Sequence, residues 1–146
     1  MPGSLINTIV ANLATTLDSV MGVNRVTTYE PVALAPGSLP SATGGSQAVD
    51  FWTVRPESTK PIRLVGYQYE VQHIVVFRHY YTAGDSSVTT PLLDAIVLAV
   101  MDKFNNTFSI VPQAEMTGPP EVTWPVLWML GDTFLVWKTE FRLPVQ

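Results

Sequence analysis

Residues Ile62–Tyr81 read IRLVGYQYEVQHIVVFRHYY, a long aromatic and β-branched run, and the reading of the rest depends on taking it as sheet. It divides into two strand-like runs, Ile62–Tyr69 and His73–Tyr81, around Glu70, Val71 and Gln72. None of those three is Gly, Asn or Asp, so no tight turn is marked there. The register stays open, and one long bent strand is the alternative.

Downstream, Ala83–Ser87 reads as a turn, and Thr90 with Pro91 as the N-cap and first position of a helix. Leu93, Ile96, Val97, Val100, Met101 and Phe104 give that helix one apolar stripe, ended by Asn105 and Asn106. Thr107–Pro120, rich in Pro and Gly, is expected to be irregular. The last element is a hairpin, Val122–Leu130 and Thr133–Leu143 about Gly131-Asp132, where Gly at the first central position suits a type II′ turn.

That turn sets Trp128 against Leu135, Val126 against Trp137, Trp124 against Thr139 and Val122 against Phe141, a face assigned to the core. On the reverse face, Thr123 opposes Glu140 and Pro125 opposes Lys138, whereas Leu127 opposes Val136 and Met129 opposes Phe134. The tip is therefore apolar on both sides and requires a cover. Leu127, Met129, Phe134 and Val136 are the expected contact with another subunit or with a tube. Pro125 inside the strand implies a bulge or an edge position.

Upstream, Ser4–Met21 places Leu5, Ile6, Ile9, Val10, Leu13, Leu17, Val20 and Met21 at helical spacing, with Ser4 as N-cap and Gly22 as stop. Its polar face carries no Lys or Arg, which favours packing on a sheet over lying on a membrane. Val23–Val32 reads as a short extended segment, and Phe51–Val54 as a short strand followed by an Arg55–Pro61 connector. Between them a Pro/Gly/Ser-rich stretch, at about residues 33–50, reads as a mobile loop or arm reaching a neighbouring subunit. Its Gly44-Gly45-Ser46 lacks the Lys and the strand–helix setting of a phosphate loop. The expected fold is α+β: a single domain, 1–146, forming a two-layer sandwich of a mostly antiparallel sheet with two helices packed on one face.

Composition narrows the function classes. A net charge of −4 is the wrong sign for gripping nucleic acid through many phosphates. The absence of cysteine removes disulfides and thiolate metal sites. Only 14% of residues are charged against 47% hydrophobic, lean for a soluble domain, so part of the surface is expected to be covered by other subunits. The longest apolar run, Ala95–Met101, is too short for a membrane span, and no Lys or Arg precedes Arg25, so an intracellular protein is expected.

Candidate chemistry is sparse. His73 and His79, six residues apart on one strand, are separated by roughly 20 Å at about 3.3 Å per residue, too far to share a metal, and no acidic partner sits at recognisable spacing. Asp85-Ser86-Ser87 lacks a nucleophile elbow, Asp94 and Asp102 read as a solvated helix face, and Glu115 with Glu121 forms no ligand set. No catalytic, cofactor or metal residues are therefore assigned.

The order of short motifs resembles the tail terminator family of long-tailed bacteriophages. The residues that carry it are Met21-Gly22-Val23 with Arg25-Val26 after the first helix, Leu64-Val65-Gly66-Tyr67, Tyr80-Tyr81 before a Gly-Asp turn, the Leu93–Phe104 helix, Gly118-Pro119-Pro120 and the closing Phe141–Gln146. The resemblance implies a virion protein without catalytic residues, assembled in the host cytoplasm, that forms a ring, commonly a homohexamer. The ring caps the tail tube, stops its growth and presents a surface to the head–tail connector, with DNA only passing through its lumen. A head–tail connector or tail-completion protein is the nearest alternative. A monomeric α+β ligand-binding domain or an enzyme is the alternative of another class.

Overall fold

A computed structural model describes residues 2–29, 49–82, 86–106, 109–111, 114–130 and 134–146. Most of the loop expected at about residues 33–50 lies outside the described residues, as do Gly84-Asp85 and Gly131-Asp132. The order is α1 (Pro2–Asp18), β1 (Val26–Thr27), β2 (Asp50–Val65), β3 (Gln68–Thr82), α2 (Ser86–Asn105), β4 (Ser109–Val111), β5 (Ala114–Glu115), β6 (Glu121–Leu130) and β7 (Phe134–Val145). Five strands form one sheet in the order β1-β2-β3-β7-β6, antiparallel except for β1 beside β2. The chain is thus an α+β sandwich.

Both helices lie on one face of the sheet. Ile9, Leu13 and Leu17 of α1 and Val97, Val100 and Phe104 of α2 share a single buried cluster with Trp52, Val54, Val75, Phe77, Phe141 and Leu143 of the strands. Each fully buried side chain of this size contributes roughly 1.5–3 kcal/mol. The α1 helix starts at Pro2, ahead of the expected cap at Ser4, and gives way to a turn at Ser19, whose N–H donates to Thr16 O at 3.2 Å, so that Met21 lies beyond the helix and is exposed. Gly22, with φ +89, makes the reversal that follows; a Cβ there would also meet Ile96 Cγ1 at 3.4 Å.

Several expectations are corrected. The turn in the central run falls at Gly66-Tyr67, with Val65 opposite Gln68, rather than near Glu70–Gln72. Gly66 has φ +63 and Tyr67 does not have a positive φ, the type II′ pattern. The Arg55–Pro61 segment is strand, not connector. Among the described residues β1 pairs only with Trp52 and Thr53 and leaves the rest of that side of β2 an edge, which accommodates Pro56 and Pro61, and the register steps between Pro56 and Ser58 and between Pro61 and Arg63. The α2 helix begins at Ser86, so Pro91 lies inside it, in its second turn, rather than at the first helical position. Within Thr107–Pro120, β4 pairs with β5, and Met116 bridges Val145.

The last hairpin is correct at its base and displaced at its tip. Val122 opposes Phe141 and Thr123 opposes Glu140 as expected, but the register steps between Thr123 and Val126, around Pro125. Beyond that bulge Val126 faces Lys138, Leu127 faces Trp137, Trp128 faces Val136 and Met129 faces Leu135. A one-residue step exchanges faces, so Leu127 and Met129 stand on the helix side of the sheet, and Val126 and Trp128 on the outer side. The bulge and the edge position expected from Pro125 are both present.

Candidate interaction surface

Every residue of β2 from Arg55 to Val65 is exposed, and β3 becomes buried only from His73. His73 opposes Val145, near the end of β7, so Gln68–Gln72 and their β2 partners run on as a two-stranded arm beyond the sheet body. Five residues at about 3.3 Å each give it a reach of roughly 17 Å.

The arm is amphipathic. Tyr69 and Val71 continue the row of His73, Val75 and Phe77 on the helix side, where Leu64 opposes Tyr69 and Pro61 opposes Val71. On the outer side Arg63 grips Glu70 through two hydrogen bonds, Nε to Oε2 at 2.6 Å and Nη2 to Oε1 at 3.0 Å. The Arg63 hydrogen bond holds the Glu70 carboxyl below the usual carboxylate range. Leu64 and Tyr69 are 58% and 64% exposed, and Tyr67 at the tip is fully exposed, so the core face runs on past the helices without a cover among the described residues.

A second apolar surface lies at the opposite end of the sheet. Leu127 and Met129 are 54% and 53% exposed, and Leu135, opposite Met129, is 46% exposed. The four residues expected to make a subunit contact are thereby separated. Leu127 and Met129 share an open apolar face, whereas Val136 is fully buried in an outer-face cluster with Val49, Phe51 and Tyr80. Val136 therefore cannot touch another subunit in this fold. Phe134 opposes Leu130, and its side chain lies outside the described residues.

The outer face is otherwise ionic. Glu140 lies 3.1 Å from Lys138, 3.3 Å from Arg142 and 3.5 Å from Arg78, and Glu57 bridges Arg78 and Arg142 at 3.5 Å and 3.3 Å. Burial pushes the Glu140 carboxyl upward, but Lys138, Arg78 and Arg142 outweigh it and hold the group below its ordinary value. The Lys138 ammonium also sits 3.4 Å from the centroid of the Trp128 ring. These contacts hold β2, β3, β7 and β6 together on the side without helices.

The histidines lie within the structure in different settings. His73 Nδ1 meets Thr59 Oγ1 at 2.7 Å, and burial lowers its pKa. His79 has the acidic partner that sequence spacing did not reveal: its Nε2 lies 2.8 Å from Asp50 Oδ1, while Asn24 Nδ2 donates to Asp50 Oδ2 at 3.2 Å. Trp52 stacks on His79 with centroids 4.3 Å apart. The pair is sealed under the helices, Asp50 4% and His79 1% exposed, so it acts as a polar tie within the core.

Among the described residues no three His, Cys, Asp or Glu side chains are grouped as a metal site, and no helix is long and apolar enough to cross a membrane. No protein-family model matches this chain, and a comparison with curated proteins found no match.

Proposed function

We propose that this chain is a structural ring subunit at the head-proximal end of a long bacteriophage tail, a tail terminator that caps the tube, stops its polymerisation and receives the head. The observation that carries the reading is the placement of two uncovered apolar surfaces at opposite ends of one sheet face: the arm with Leu64 and Tyr69, and the β6–β7 end with Leu127 and Met129. Surfaces so placed fit each other head to tail, and a heterologous contact closes into a ring when its rotation allows. The motif order supports the phage assignment, and the net charge of −4 suits a lumen through which DNA slides without adhering.

The test is electron microscopy of phage tails assembled with and without the protein. Tubes of uncontrolled length in its absence support a terminator. Tails of normal length that fail to join heads would transfer the chain to the connector role, and normal tails that join heads would reject both.

A further inference from the structure

The Pro125 bulge leaves a cleft of about 130 Å³ between α2 and β6, walled by Thr90, Leu93, Asp94, Trp124, Pro125 and Trp137. Small-molecule sites occupy roughly 300–1,000 Å³, so this cleft is the size of one side chain. Its walls carry two indoles, Trp124 and Trp137, and one carboxylate, Asp94.

The chain carries a matching group at its other end. Tyr67 is an aromatic side chain fully exposed at the tip of a II′ hairpin. It cannot reach the cleft of its own molecule. Trp137 lies opposite Tyr81 at the far end of β3, and the strand between them spans roughly 45 Å at about 3.3 Å per residue.

We propose that Tyr67 of one copy occupies the Trp124–Trp137 cleft of the next, a contact that rests on the ring reading above and names how neighbouring subunits engage. The ring packs against the two indoles, and the hydroxyl donates to the Asp94 carboxylate. Leu127 stands directly opposite Trp137 on β6, so the apolar face of the arm behind Tyr67 meets Leu127 and Met129 as the tip enters. Aromatic anchors seated in preformed pockets carry a large share of the energy in such contacts.

The experiment is complementation between two full-length variants, followed by analytical ultracentrifugation. Tyr67→Ala removes the tip where the side chain touches solvent alone. Trp124→Ala opens the cleft; if its melting curve shows loss of fold, Thr90→Trp, which fills the cleft from an exposed helix position, takes its place. The expected result is a multimeric wild type, each variant alone monomeric, and an equal mixture giving one-to-one dimers and nothing larger, since only one productive tip and cleft remain per pair. Variants that assemble as wild type does, or a mixture that stays monomeric, would overturn the tip-in-cleft contact and leave the ring reading standing. A monomeric wild type would overturn both.

Discussion

Asp50 and His79 form a buried tie between β2 and β3, Oδ1 to Nε2 at 2.8 Å, with Asn24 closing the other carboxylate oxygen from the α1–β1 connection. A carboxylate only accepts, so His79 Nε2 carries the proton of this bond. Asp50→Ala leaves a buried imidazole N–H unpaired and is expected to cost about 1–3 kcal/mol. Urea denaturation measures it, and Asp50→Asn, which retains an acceptor, should lose less.

Leu127 and Val136, paired in the sequence reading, separate sharply in the fold. Leu127→Lys stays within about 0.5 kcal/mol of wild type because the side chain is half exposed, whereas Val136→Lys places an unpaired charge in a closed cluster and costs about 3 kcal/mol or more. Thermal melting of the two variants distinguishes the observed register from the unbulged one. In the unbulged hairpin both side chains would stand on the same face, and both changes would have similar effects.

Gly66 supports the arm through backbone alone. A Cβ at this position meets nothing within 4 Å, so Gly66→Ala is governed by its φ of +63 and costs about 1–2 kcal/mol of local stability. Hydrogen exchange should show faster opening at Leu64 and Tyr69 while the amides of Val75 and Phe77 keep their protection. Equal loss in both regions would mean that the arm and the sheet body open as one unit.

Glu140 gives the fold an acid limit. Its carboxyl is held below the ordinary value in the folded chain, so the unfolded chain takes up the proton first as pH falls. The stabilisation is present above the unfolded carboxylate value, about 4.3, and is lost as pH drops through the folded one. Glu140→Gln should flatten the dependence of stability on pH between about 5 and 3. His73, lowered by burial, adds a loss of the same sign that begins below about 6.5, and His73→Gln should remove that earlier part.

The two helical stripes, the two-layer arrangement and the base of the last hairpin were legible because burial periodicity and turn chemistry agree there. The displaced features share a cause: a local signal whose outcome depends on a neighbouring strand. Gly66 followed by Tyr67 marks a II′ turn, and in the sequence it lay hidden inside an unbroken run of strand formers. Pro125 announced a bulge, but the step it introduces becomes definite only once Val126 finds Lys138. Pro56 and Pro61 read as a linker because a sequence does not say that β2, among the described residues, has an open edge. The Asp50–His79 tie joins residues 29 positions apart, beyond any spacing rule. Of the expected contact residues, Leu127 and Met129 are open on the surface although the bulge moves them to the helix side of the sheet.

The central claim is head-to-tail self-association through two ends of one sheet, and the mass of the full chain in solution tests it most directly. Native mass spectrometry over a range of concentrations should give one closed species of defined copy number, with Leu127→Lys combined with Met129→Lys shifting it to folded monomer. A wild type that remains monomeric at the highest concentration, or an assembly whose mass is unmoved by those two changes, would contradict the account.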